Sequence, residues 1–289
     1  MVFFAQVLVN GLLLGGLYAC IALGFSLVWG VLNILNVLHG SLVMLGAYAT
    51  FWLFQLAGVD PFLCIPLTAL ALFVFGYGVQ RLVINQVVRA PMFMTLILTF
   101  GLDLIVVNLA LYLWTGNVRS VAPGYATQTL TLLGVRVPLV RLAIFALALL
   151  ITGLVFVFLH HSWSGRAIRA TRMDLDAARL MGVPLAHVYG LTFGLGAAMA
   201  GAGGSLIAIG VPFTPAIGGE YLGRAFVICV MGGLGNMLGA LVGGVVLGVV
   251  EQVATLVLGP GYQAFVSYAL LILTLLLRPQ GLVGRQGYA

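Results

Sequence analysis

There is no lysine among the 289 residues and there are only six acids; arginine supplies all 12 basic side chains. Charged residues make up 6% of the chain, against roughly 25% in a soluble globular domain. Too few remain to cover a water-facing surface, which excludes a soluble enzyme dependent on phosphate or metal. Without lysine, no Gly-Lys-Ser/Thr phosphate loop can form, so nucleotide chemistry must come from elsewhere. Cysteine is scarce: Cys20, Cys64 and Cys229 all sit inside apolar stretches and match no metal or redox spacing, so they read as small packing residues. His39 and the pair His160-His161 have no acid close by in sequence, which argues against a metal site. No Gly-x-Ser-x-Gly elbow occurs, and His39-Gly-Ser41 is too generic to mark a hydrolase. The net charge of +6 is scattered between apolar runs rather than gathered in a patch, which excludes a nucleic-acid surface.

What the chain has in excess is hydrophobic residues, 63% of the total, with a mean hydropathy of +1.21. A spanning helix needs about 20 mostly apolar residues. Such runs occur at about 4–29, 40–57, 61–80, 91–114, 138–159, 187–210, 237–258 and 262–277, with a shorter glycine-rich piece at 225–235. The expected fold is therefore all-α and membrane-integral, a bundle of eight to nine transmembrane helices forming a single domain over 1–289. The first run follows no basic region and is too long for a signal-peptide core, so it is expected to be retained.

Basic loops stay on the cytoplasmic side. Arg81 and Arg89 flank one gap, Arg166, Arg169, Arg172 and Arg179 fill another, and Arg278 and Arg285 mark the C-terminal segment; these belong inside. Arg119, Arg136, Arg141 and Arg224 fall in or beside the gaps that alternation places outside. Counting back through nine passes puts the N-terminus outside, with no arginine before Arg81 to mark the first two. The outer segment 115–137 is too polar to span and reads as a loop with a short hairpin. The uncharged stretch Val31-Leu-Asn-Ile-Leu-Asn-Val-Leu-His-Gly40 separates two apolar runs and reads as a broken helix of the kind that lines transporter pathways. The 39 glycines form small-residue rows, including 194–204 and 232–244, that let helix backbones approach closely.

The longest inside loop, Trp163 to His187, carries one self-contained short helix. Asp174 is an N-cap, Asp176 puts negative charge in the first turn, Ala177 and Ala178 favour helix, and Gly182 suits a stop. Pro184 then fits the start of the next helix. Ala177, Leu180 and Met181 give the short helix an apolar face; a groove on another protein would bury it, and lipid head groups are the alternative, helped by Arg166, Arg169 and Arg172.

The run Asp176-Ala-Ala-Arg-Leu-Met-Gly182 resembles the EAA motif of the coupling helix in ABC importer permeases, with Asp in place of Glu. Over its whole length the chain resembles the LivH family of branched-chain amino-acid permeases. The likeness rests on Asn10-Gly-Leu-Leu-Leu-Gly-Gly-Leu-Tyr-Ala, Ala22-Leu-Gly-Phe-Ser-Leu-Val-Trp-Gly, Asn33-Ile-Leu-Asn-Val-Leu-His-Gly40, Gly232-Gly-Leu-Gly-Asn-Met-Leu-Gly-Ala240 and Arg278-Pro-Gln-Gly-Leu-Val-Gly284. The resemblance implies a transporter subunit of the bacterial cytoplasmic (inner) membrane, itself no enzyme, working by alternating access. It also implies two ABC ATPases that bind ATP and Mg, no cofactor in this chain, a LivM-like second permease and an extracytoplasmic solute-binding protein. By the same likeness, Asp176, Ala177, Ala178 and Gly182 lie on the coupling helix, with Arg172 and Arg179 at the rim of an ATPase groove.

Within the spans, an ionised side chain costs a few kcal/mol. Asp103, Asn108 and Glu251, together with Asn33, Asn36 and His39 of the broken segment, are the candidate pathway residues. Interhelical hydrogen bonding is the plainer reading of each, and His39, like His160 and His161, is expected at an interface. Rival functions are an ABC permease for urea or short amides and a proton-coupled carrier using Asp103 or Glu251.

Overall fold

The computed structural model describes residues 2–88, 90–132 and 134–283. Arg89, Gly284 and Arg285, used above for topology or family likeness, lie outside the described residues. Eleven α-helices follow one another: α1 Val2–Leu32, α2 Leu38–Ala57, α3 Pro61–Leu82, α4 Met92–Trp114, α5 Leu139–His161, α6 Trp163–Met173, α7 Leu175–Leu180, α8 Leu185–Gly210, α9 Ile217–Gly232, α10 Met237–Leu258 and α11 Gln263–Leu277. Among the described residues eight helical segments are long and apolar enough to span a bilayer, the all-α polytopic architecture that composition and run length imply. The short hairpin expected outside is present, β1 Thr129–Leu132 paired antiparallel with β2 Val135–Pro138.

The glycine-rich piece at 225–235 belongs to α9, whose 16 residues extend about 24 Å at 1.5 Å per residue. That is short of the roughly 30 Å hydrocarbon core. Non-helical residues 211–216 precede it and supply the missing reach. The stretch 33–37 is likewise non-helical between α1 and α2, and Asn33 takes a positive φ of 57° there. The two interruptions meet, because the first turns of α2 and α9 touch backbone to backbone at Gly40 and Gly218. Such breaks survive only where protein covers the freed backbone groups; here the Thr99 hydroxyl donates to Leu35 O, and Val37 N–H donates back to it.

Apolar lipid gives helices no hydrophobic reason to associate, so van der Waals fit must do it. Two seams show how. Gly11 and Gly15 of α1 lie against the backbone of Val249 and Val245 on α10, and Gly46 of α2 meets Gly201 of α8 while Gly204 meets Val43. At these positions a single methyl group would strike main chain. The deepest core follows, with Ile21, Leu42, Met44, Phe193, Met199 and Leu206 all but fully enclosed. In contrast α4, α5 and α11 leave most of their apolar surface facing outward.

The ends of the bundle sort the arginines. At one end Gly30, the α6 residue Arg172 and Gly235 of the α9–α10 turn lie together, and Leu282 N–H donates to Met231 O at 2.6 Å. The loop holding Arg166, Arg169, Arg172 and Arg179 is here, at the end that the bias of basic loops assigns to the cytoplasm. At the other end Gln6 exchanges hydrogen bonds with the Arg136 backbone, each 2.8 Å. The N-terminal segment therefore lies at the end opposite the arginine-rich loop. The outer face is closed by an isolated backbone bridge between Arg119 and Phe213 and by Tyr48, stacked on Trp114 at 4.3 Å and edge-on to Phe213 at 5.1 Å. Asp60 joins the outer loop to this end: it caps α3 through Phe62 N–H and accepts the Tyr125 hydroxyl at 2.9 Å. Burial, with the Asp60 carboxylate second, raises the Tyr125 pKa.

Candidate coupling and translocation sites

The short cytoplasmic helix α7 is built as its residues dictate. The Asp174 carboxylate accepts from Ala177 N–H at 2.9 Å, which satisfies one of the donors every helix start leaves open. At its end Gly182 takes φ +79°, while Gly182 N–H donates to Arg179 O and Val183 N–H to Ala178 O. That pair of reversed bonds is a Schellman stop, which favours glycine at the left-handed position. Leu180 and Met181 are 87% and 84% exposed, with little cover from the described residues. Ala177 is exposed beside them.

Ala178 differs from its neighbours. It is only 5% exposed, so its small side chain is covered by this chain rather than facing outward, and helical geometry places it on the far side of α7 from Leu180. Its size serves the packing of α7 onto the bundle. Arg172, Asp176 and Arg179 line a cavity of about 1250 Å³ together with Asn33, so one candidate pathway residue shares a space with three coupling candidates. Burial lowers the Arg172 pKa from its ordinary value.

The intramembrane candidates separate into distinct places. Glu251 of α10 is fully buried and accepts from Tyr18 Oη at 2.6 Å, Ser267 Oγ at 2.5 Å and Arg224 Nε at 3.1 Å. Four helices thus meet on one carboxylate. The Arg224 guanidinium also stacks over Tyr18 and Tyr221, 5.6 and 5.4 Å from the ring centres. Arg224 stands in the first half of α9, beside the gap where charge counting puts it, and neutralises a buried acid there. No sequence signal pairs it with Glu251, 27 positions on.

His39 is also not interfacial. It is wholly buried, with Nε2 3.1 Å from Ile21 O and its ring edge-on to Phe25. The cause is the break at 33–37, which lets the chain fold back along α1 before α2 starts. Asn36 is 2% exposed and lines a largely apolar cavity of about 330 Å³ with Phe25, Leu222 and Phe226; its Oδ1 has no hydrogen-bond partner among the described residues. Asp103 accepts the Ser41 hydroxyl, tying α4 to α2. Asn108 stands apart on an exposed face of α4 and donates to Leu104 O of its own helix at 2.7 Å. His160 and His161 are at the end of α5, as expected, each bonded to a carbonyl one turn back.

At the outer end a cavity of about 290 Å³ opens between α1, α5, α8 and α9, lined by the charged Arg141, Glu220 and Arg224 and the apolar Leu13, Ile144 and Leu206. The described residues thus form a polytopic bundle with two non-helical interruptions, a short capped helix at the arginine-rich end and a charged cavity at the other. A family model described as "Branched-chain amino acid transport system / permease component" matches residues 7–275. The chain belongs to this family. Curated relatives of this permease component cover it nearly end to end. The high-affinity branched-chain amino acid transport system permease protein BraD of Pseudomonas aeruginosa is 32% identical over 98% of this chain and 96% of its own length. The corresponding LivH of Salmonella typhimurium is 32% identical with the same coverage. LivH of Escherichia coli K12 is 31% identical, again over 98% and 96%. No solved structure matches the chain.

Proposed function

We propose that this permease component is one of two membrane subunits of an ATP-driven importer for branched-chain amino acids in a bacterial inner membrane. The observation that carries the reading is α7: a six-residue helix, capped at both ends, whose Leu180 and Met181 stand exposed among the described residues. Such a face suits a groove on a cytoplasmic ATPase. ATP and Mg then bind in two partner ATPases, this chain needs no cofactor of its own, a second LivM-like permease completes the pathway, and an outer binding protein delivers the solute. Closure of the ATPase pair draws the α7 helices together, and the movement reaches the bundle through α6 and the 1250 Å³ cavity that Arg172, Asp176 and Arg179 share with Asn33. The pathway opens outward, takes the solute and is reset by hydrolysis. A proton-coupled carrier fits less well, because Glu251 is committed to three donors, an arrangement suited to a fixed charge.

The test is purification and reconstitution of the double variant Leu180→Asp/Met181→Asp. Both side chains are exposed, so the chain inserts in the membrane at wild-type level; the ATPases fail to co-purify, and ATP-driven leucine uptake is lost. Normal uptake and co-purification by the variant would overturn the assignment.

A further inference from the structure

We infer that Arg224 and Glu220 form a recognition site for the zwitterionic backbone of the transported amino acid, with its side chain against the apolar wall of the outer cavity. The inference rests on the importer reading above and adds to it the place and chemistry of solute contact.

Three observations support it. First, the cavity is lined by both kinds of group, the apolar Leu13, Ile144 and Leu206 and the charged Arg141, Glu220 and Arg224, the mixture of apolar bulk and a few placed charges that binds small solutes. Second, the charges balance. Arg141 and Arg224 line the cavity with Glu220, and Glu251 accepts from Arg224, giving two of each sign. Such a site favours a ligand that is charged at both poles and neutral overall.

Third, Arg224 is held but not used up. Its Nε is committed to Glu251 at 3.1 Å, and Nη1 makes a longer 3.5 Å contact with Glu220, whose carboxylate side chain is 67% exposed. A guanidinium has five donors in a rigid fork. A ligand carboxylate can therefore take the outer edge of the fork, as Arg–carboxylate pairs commonly do, while the displaced Glu220 carboxylate accepts the ligand ammonium. Glu251, with Tyr18 and Ser267, acts as the positioning group that keeps the fork aimed. Arg224 and Glu220 also border a neighbouring cavity of about 490 Å³ on the α11 side of α9, which reaches toward the apolar pocket of Asn36, Leu222 and Phe226 through the shared Gly219, Gly223 and Tyr268. The pair therefore stands where a solute passes from the outer opening toward the break at 33–37.

The experiment measures leucine uptake by the complete importer in proteoliposomes, as a function of the concentration of leucine-loaded binding protein. Glu220→Gln is the main variant, since an exposed carboxylate can be neutralised without leaving a buried charge unpaired. We expect maximal uptake to fall about tenfold, the factor a lost charge-assisted hydrogen bond gives, with the half-saturating concentration of binding protein unchanged. Glu220→Asp restores most of the rate. The paired variant Arg224→Gln/Glu251→Gln, which removes both buried charges together, assembles and also transports poorly. Uptake by Glu220→Gln equal to wild type overturns the site and leaves the importer reading standing. A raised half-saturating concentration with unchanged maximal rate overturns it too, since Glu220 would then be a docking contact. Absence of ATP-driven leucine uptake by the wild-type complex defeats the importer reading and this site with it.

Discussion

Replacing Glu251 by glutamine tests whether one carboxylate organises the outer half of the bundle. Glutamine keeps the shape and still accepts from Arg224, but the charge that balances a guanidinium only 15% exposed is gone. Removing one partner of a buried ion pair costs about 3–5 kcal/mol. The lower figure applies, because Arg224 retains its 3.5 Å contact with Glu220. At about 2 °C per kcal/mol in a chain of this length, melting falls by about 6 °C. The chain carries its own reporter: Cys20, Cys64 and Cys229 are free and buried, so a thiol-reactive dye reads unfolding directly. Adding Arg224→Gln to the same chain removes the stranded cation, and the double variant recovers about 2 kcal/mol relative to the sum of the two singles. A shift below 1 °C for Glu251→Gln, or strict additivity in the double variant, refutes the idea that the pair is a coupled unit.

Three further outcomes follow from local geometry. Gly182→Asp forces a side chain onto a residue at φ +79°, costing about 1 kcal/mol of the α7 stop; ATP hydrolysis per leucine imported rises in reconstituted vesicles while membrane insertion is unchanged. Asp174→Ala removes the cap on Ala177 N–H and about 1 kcal/mol with it, which hydrogen exchange at that amide registers as a roughly fivefold loss of protection. Gly46→Leu drives a side chain into the Gly201 backbone, so α2 and α8 separate and stability drops by about 3 kcal/mol, seen as a fall in the thiol-dye melting temperature.

Much of the architecture is legible in the sequence because it is written in composition. The eight apolar runs match the helices within a few residues, since lipid demands unbroken hydrophobic length and little else competes. The caps of α7 are equally local: Asp174 and Gly182 act on amides within three or four positions of themselves. The polar centre is hidden for the opposite reason. Glu220 and Arg224 interrupt the hydropathy of α9, so only its end, 225–235, looks like a membrane piece, and nothing local pairs the arginine with Glu251. His39 looks interfacial beside a polar gap, yet the fold-back at 33–37 encloses it. Nothing in the periodicity tells that Asn108 faces outward or that Ala178 faces inward, because on so apolar a helix as α4 and so short a one as α7 no stripe marks the inner face.

The glycine seams also limit how such a molecule can move. Where Gly15 meets Val245 and Gly46 meets Gly201, main chain rests on main chain, with no side chain that could hop to another rotamer as one helix slips past the other. Packed helices glide only when their side chains can repack in small steps. These two seams therefore act as interlocked teeth that permit tilting of a whole block but not sliding within it. The α1–α10 pair and the α2–α8 pair each travel as one piece, and any sliding is left to the side-chain-filled contacts of α4, α5 and α11 around them.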